Sequence, residues 1–174
     1  MDRRVRKTQT AIQTAFFQLL KKQDIERVKV SEICELADIN RGTFYLNYLD
    51  KYDLLEKMIQ QSIQELVTYC QTETAETDNL LIKTFQFIVE NQETYRMLIA
   101  SDKHGLFTDY LKQHILTFTA TNDQAQTTEA IFIANGIVGV LNHYLSSREA
   151  SIESLYEIKP IIERFQLPSN LAKY

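Results

Sequence analysis

An all-α protein of about nine helices is predicted by three features of this 174-residue chain. Only four Gly and two Pro occur, too little punctuation for a succession of strands and hairpins. Apolar residues recur at spacings of three and four rather than alternating. Capping residues stand at the heads of several of these periodic runs. With 44% apolar and 24% charged residues, the chain has the balance of a globular protein able to bury a core.

The elements follow in order. Ile12, Ala15, Phe16, Leu19 and Leu20 share one face of a first helix over about 5–22, and the polar stretch from Lys21 to Lys29 ends it. Ser31 is the expected N-cap of a short second helix reaching about Ala37, with Glu32 complementing its positive end. Asp38, Ile39 and Asn40 make a tight connection, since Asp and Asn tolerate left-handed backbone. Asn40 then caps a third short helix, Arg41 to about Tyr48. Asp50 caps a long fourth helix to about residue 75, with Asp53 as the reciprocal partner of a capping box. Leu55, Ile59, Ile63, Leu66 and Cys70 stripe its buried side. Five further helices are expected at about 78–90, 92–101, 106–121, 127–147 and 152–166, the last kinked or delayed by Pro160.

The segment Thr127–Ser146 differs from the rest because no face of it is strongly polar. A helix apolar all round is expected to be buried on all sides. Two readings fit: the central helix of a monomeric core, or a subunit interface shared with the last helix. In the second, Ala130, Ala134, Gly136, Val138, Leu141 and Leu145 would contact a second copy, the small residues allowing close approach.

Composition narrows the function classes. No run of about 18 apolar residues suggests a membrane span, and the basic start lacks the apolar core of a secretory signal. A cytoplasmic location is expected. Cys34 and Cys70 have no metal-ligand spacing, and His104, His114 and His143 stand far apart, so neither metal nor cofactor is expected. No phosphate loop, nucleophile elbow or metalloprotease motif occurs, and an enzyme is not expected. The net charge of −4 is unevenly spread. Residues 1–60 carry 11 Lys and Arg against 9 Asp and Glu, and the remainder 8 against 14. The opening is basic, with Arg3, Arg4, Arg6 and Lys7 against Asp2. A polyanion-binding end on an acidic body fits this distribution.

A short helix, a tight turn and a second short helix form a helix-turn-helix, whose second helix enters the major groove of DNA. That helix carries Arg41, Thr43, Tyr45, Asn47 and Tyr48, and Gly42 leaves room for close approach. Arg can bond bidentately to guanine and Asn to adenine, while Thr and Tyr hydroxyls suit phosphates or bases. Phe44 is spaced to face Ile33 and Cys34. Lys51, just after the Asp50 cap, stands where an ammonium and a helix N-terminus hold one phosphate together; Ser31 can act likewise.

The stretch from Arg4 to Leu66 resembles the DNA-binding domain of TetR-family transcriptional regulators. The matching pieces are Arg6-Lys7-Thr8, Ile12 and Ala15-Phe16; Val30-Ser31-Glu32-Ile33 with Ala37-Asp38-Ile39; and Gly42-Thr43-Phe44-Tyr45 with Tyr48, Lys51 and Leu54-Leu55. The resemblance implies a homodimer with a three-helix DNA-binding head, residues 1–50, extending to about 66 along the fourth helix. It also implies a helical ligand-binding and dimerisation body, residues 51–174. Carried over by position, base-reading contacts fall on Arg41, Gly42, Thr43, Tyr45 and Asn47, and phosphate contacts on Thr8, Ser31, Tyr48 and Lys51; Arg4 joins them from the basic arm. Asn47 stands where the family usually has His, and Asp38 where it usually has Gly. The second half more loosely resembles the C-terminal region of TetR-like regulators from Firmicutes.

The expected function is therefore a sequence-specific regulator, a repressor whose homodimer binds a palindromic operator and is released by an unidentified effector. The alternative is a TetR-like coactivator that docks a partner protein. Phe85, Tyr95, Phe107, Tyr110, Phe118, Phe132 and Tyr144 could line an effector pocket, or simply fill a helical core.

Overall fold

The computed structural model describes residues 3–71, 80–119, 124–146 and 160. Among the described residues there are eight α-helices, one 3-10 turn and no strand: α1 (Arg3–Leu20), the 3-10 turn (Ile25–Arg27), α2 (Val30–Leu36), α3 (Arg41–Tyr45), α4 (Lys51–Gln71), α5 (Leu80–Glu90), α6 (Gln92–Ser101), α7 (Leu106–Thr119) and α8 (Gln124–Ser146). The helix expected at 152–166 lies outside the described residues except for Pro160.

The head is built by local rules. Ile12, Ala15, Phe16 and Leu19 form the buried stripe of α1 at helical spacing. The stretch after α1 is not a plain loop, because Asp24 accepts from the Glu26 N–H at 2.9 Å and caps the 3-10 turn, which buries Ile25. Helix α2 begins two residues earlier than expected. Lys29 occupies the N-cap, and its own N–H donates to Glu32 Oε2 at 2.8 Å. Ser31 is thus the second helical residue and not the cap.

The turn after α2 closes as a Schellman motif. Ile39 N–H donates to Cys34 O at 3.0 Å and Asp38 N–H to Glu35 O at 3.3 Å. This geometry requires a left-handed residue, and Asp38 supplies it at φ 52°. Left-handed backbone is costly for any residue with a Cβ. Asp38→Gly is expected to raise stability by roughly 0.5 kcal/mol, the relief of that cost less the entropy a glycine adds to the unfolded chain; an unchanged or lower denaturant midpoint would contradict this.

Asn40 caps α3 by accepting from the Thr43 N–H at 2.8 Å. Asp50 Oδ1 caps α4 by accepting from Tyr52 and Asp53 N–H, both at 2.8 Å. Asp53 reaches back one residue further than a standard box, to the Leu49 N–H at 2.8 Å. These caps fix the directions in which the short helices leave their turns.

Helix α4 carries the apolar core from head to body. Leu54, Leu55, Ile59, Ile63, Leu66 and Cys70 are all buried, and they join Phe16, Ile33 and Phe44 of the head and Phe85, Tyr95 and Leu111 of the body in one cluster. Helix α4 packs on α5, α6 and α7, and α8 packs on α6 and α7. Tyr95 is 1% exposed and donates its hydroxyl to Ser62 O at 3.0 Å, so its one polar atom is satisfied within the core. Between α6 and α7, Gly105 adopts φ 75°, and Asp102 accepts from the Phe107 N–H at 2.7 Å.

Helix α8 is not buried on all sides in this chain. Ala130, Ile133, Ala134, Ile137, Val138, Leu141 and Leu145 face the core, whereas Ile131 is 47% and Phe132 67% exposed. Gly136 and Gly139 lie on that outer side, where an added Cβ would meet nothing within 4 Å. Among the described residues, no helix is long and apolar enough to cross a membrane.

Candidate nucleic-acid interface

The third helix presents a narrow outer face. Phe44, fully buried, fixes its inner side, with the Tyr45 ring edge-on at 5.4 Å and the Tyr48 ring tilted at 5.8 Å. Away from Phe44 and Tyr48, Arg41, Gly42, Tyr45 and Leu46 are exposed, as two neighbouring pairs spaced one turn apart. A Cβ on Gly42 would approach Asn40 Oδ1 to 3.2 Å, so Gly there spares the cap and leaves the surface low.

Two expected base readers sit differently from these. Thr43 is half-buried and its Oγ1 lies 3.1 Å from Asn40 Oδ1. Asn47 is half-buried too, and its Nδ2 donates to Thr43 O at 2.8 Å. A carboxamide reading adenine needs donor and acceptor together. Asn47 commits one of its two amide N–H groups within the helix, which restricts how the carboxamide can turn.

The expected phosphate contacts divide as well. Tyr48 is a core residue, 3% exposed, and this corrects its assignment to an outer contact. Its hydroxyl accepts from Gln13 Nε2 at 3.5 Å, the Lys57 ammonium lies 5.2 Å from its ring centroid, and burial pushes its pKa up. Lys51 is half-buried and donates to Glu26 O at 2.9 Å and Val28 O at 3.0 Å. An ammonium has three donors, so one stays available for phosphate while two tie α4 to the 3-10 turn. Ser31 and Thr8 are half-buried, and Arg3, Arg4, Arg6 and Lys7 are exposed along the first turns of α1.

Lys57 was not foreseen. It donates to Asn47 O at 3.2 Å and Asp53 Oδ2 at 2.9 Å, joining the end of the third helix to α4. Partial burial would raise the Asp53 pKa, but Lys57 and the Leu49 N–H hold it below the usual carboxylate range. The Asp53–Lys57 spacing of four was the available signal. Leu46 and Leu49 were also missed; they fall out of step with the buried Phe44 and Tyr48.

Ion pairs link head and body. Lys103, in the α6–α7 connection, reaches Asp24 Oδ1 at 3.2 Å and Glu26 Oε1 at 3.4 Å, and Lys21 meets Glu93 at 2.6 Å. Tyr52 Oη donates to Glu26 Oε2 at 2.8 Å. That bond is the main cause of the lowered Glu26 pKa, while Asp24 is lowered chiefly by the Glu26 N–H and then by Lys103. These groups are exposed, and pairs of this kind add little to stability. They do fix where the 3-10 turn sits against the body.

Among the described residues, those expected to line an effector pocket sit in differing surroundings. Phe85, Tyr95 and Phe107 are buried in the core, with the Tyr95 and Phe107 rings 5.5 Å apart. Tyr110 joins α7 to α4, accepting from Gln60 Nε2 at 2.8 Å and donating to Glu56 Oε1 at 3.0 Å. Phe132 is on the outer face of α8, and the Phe118 side chain lies outside the described residues. A separate open groove of about 470 Å³ is lined by Gln61, Gln64, Glu65, Thr68 and Phe87. Among the described residues no group of three His, Cys, Asp or Glu is placed to hold a metal ion. The expected interface residues Ala130, Ala134, Val138, Leu141 and Leu145 are likewise buried within the chain itself, because the inner side of α8 packs on α6 and α7.

A capped short helix, a Schellman turn and a second helix with a polar-tipped outer face form a helix-turn-helix of the kind found in DNA-binding proteins. Residues 12–58 match the sequence model of the bacterial regulatory proteins of the tetR family, so this segment is similar to the DNA-binding domain of that family. It is 41% identical over 70 residues to the HTH-type transcriptional regulator YxbF of Bacillus subtilis, a match covering 40% of this chain and 18% of that one. It is 28% identical over 97 residues to DhaS of Lactococcus lactis, an HTH-type dhaKLM operon transcriptional activator, covering 56% and 51%. The chain thus spans about half the length of one curated relative and under a fifth of the other. The fold is shared with solved structures of the dihydroxyacetone kinase operon activator DhaS, at TM-score 0.67 and 22% identity over 92% of this chain and 96% of that one, and of a TetR transcriptional regulator from Streptococcus agalactiae, at 0.66 and 23% over the same shares.

Proposed function

We propose that the protein binds a palindromic DNA operator as a homodimer, each head of residues 1–50 reading one half-site in the major groove and the body of residues 51–174 holding the pair. The observation that carries this reading is the outer face of the third helix, where Arg41, Gly42 and Tyr45 project from a helix anchored by fully buried Phe44. Arg41 suits guanine, Tyr45 a phosphate or base edge, and Lys51 and the α1 arm suit the backbone. Operator occupancy excludes polymerase, giving repression, and an effector acting on the body relieves it by moving the heads through the Lys103 and Lys21 contacts. The likeness to the DhaS activator supports a second reading, in which the body docks a partner protein and the bound dimer activates.

The dimer is assigned to the outer side of α8: Ile131, Phe132, Gly136 and Gly139. A twofold partner covering this stripe would bury the most exposed aromatic side chain in the described body, and the glycines admit close approach. Phe132→Glu would place a charge in that contact, and dimerisation is expected to weaken at least about a hundredfold. Sedimentation at micromolar concentration checks this, and an undiminished dimer excludes the face. The reading as a whole is tested by selecting bound duplexes from a random library. An enriched palindrome is expected, and no enrichment would reject DNA reading.

A further inference from the structure

We propose that Leu46 is a specificity-determining residue that reads the 5-methyl group of a thymine in each half-site. This rests on the reading of the third helix as the DNA-contacting element. Leu46 is 87% exposed, the most exposed large apolar side chain of the described chain, and Leu49 follows at 79% and Tyr45 at 55%. Leu46 continues the helix beyond Tyr45, with φ −72° and ψ −20° and its N–H bonded to Gly42 O at 3.0 Å. Its side chain therefore lies in line with Gly42, one turn earlier, where no Cβ competes for space. An aliphatic side chain held almost wholly in water gains only when an apolar group covers it. In the major groove the apolar group on offer is the thymine methyl.

The charges around Leu46 favour duplex DNA over an apolar protein surface. Arg41 opens the same helix, and Lys57 donates to Asn47 O just beyond its end. The nearby carboxylates Asp50 and Asp53 are engaged with backbone N–H groups. Asn47 is half-buried with one amide N–H committed to Thr43 O, which restricts how its carboxamide can turn toward an adenine edge and leaves an A·T pair at this end open to recognition from its thymine side. Leu46 lies five residues beyond Arg41, roughly 7 Å along the helix, which corresponds to about two base-pair steps.

The test begins with duplex selection from a random library by the wild-type protein and by Leu46→Ala. A thymine preferred by the wild type and lost in the variant is expected. Each thymine of the selected site is then replaced by deoxyuridine, which removes only the methyl. At the position read by Leu46, wild-type affinity is expected to fall about fourfold per half-site, the worth of one buried methyl group. Leu46→Ala should not respond to that replacement, and Leu46→Met should. If the wild type enriches no sequence, the DNA reading itself fails and this proposal with it. If Leu46→Ala enriches the same site and keeps the same deoxyuridine response, DNA reading stands and the role of Leu46 is overturned, which leaves the leucines to a protein partner.

Discussion

Phe44→Ala is expected to destabilise the protein by about 3–5 kcal/mol and to abolish sequence-specific DNA binding, although the side chain touches no DNA. Phe44 is fully buried, and removing a buried ring loses its transfer free energy and leaves a cavity. It shares the apolar cluster with Ile33 and Cys34 of α2 and with Ile12 and Phe16 of α1. The third helix has only five residues, too short to hold itself together by backbone bonds. Its packing on Phe44 is what keeps Arg41 and Tyr45 aimed outward. A fall in melting temperature of about 10 °C or more is expected for a chain of this size. Phe44→Leu, which keeps most of the volume, should cost much less. If Phe44→Ala melts like the wild type and still binds its selected duplex, the third helix is not held in the way described.

Lys51→Met is expected to weaken DNA binding about tenfold or more and to lower stability by about 1–2 kcal/mol, two effects with different causes. The stability loss comes from leaving Glu26 O and Val28 O, which Lys51 holds at 2.9 and 3.0 Å, without their charged donor. The expected binding loss comes from the one donor left over, which would bond a phosphate placed at the start of α4. The two separate in the salt dependence. A lost phosphate contact reduces the slope of log affinity against log salt by about one, whereas a purely structural lysine leaves that slope unchanged. Measured well below the melting temperature, an unchanged slope with weakened binding would confine Lys51 to its structural role.

The helix-turn-helix was legible because it is written in short-range chemistry. Asn40 and Asp50 are caps in the sequence and in the structure, and the buried stripes of α1 and α4 follow the 3.6-residue period. Asp38 was recognisable as a turn residue, and its left-handed backbone follows from the Schellman closure. Ser31 misled because the Glu32 carboxylate caps the Lys29 N–H from inside the helix, an arrangement that propensity at one position does not reveal. The 3-10 turn was hidden in a polar stretch with one buried residue, Ile25, too short to show a period.

The body was less readable. Aromatic residues marked as lining a pocket and small residues marked as an interface are the types that also fill a core. Phe132 and Tyr95 look alike in one dimension, yet one is 67% and the other 1% exposed. In α8 the weak polarity of both sides left its rotation about the helix axis undetermined, and only packing against α6 and α7 fixed it.

The chain by itself determined an all-α fold, the existence and order of the helices described, and a helix-turn-helix with an outward Arg41 and Tyr45, because caps and periodic stripes act between residues a few positions apart. The tertiary structure alone decided that Tyr48 is inside, that Thr43 turns toward the Asn40 side chain and Asn47 toward the Thr43 carbonyl, that Lys51 clasps the 3-10 turn, and that Ile131 and Phe132 face away from the core. Each of these depends on which distant element arrives beside a side chain, and local spacing carries no record of that.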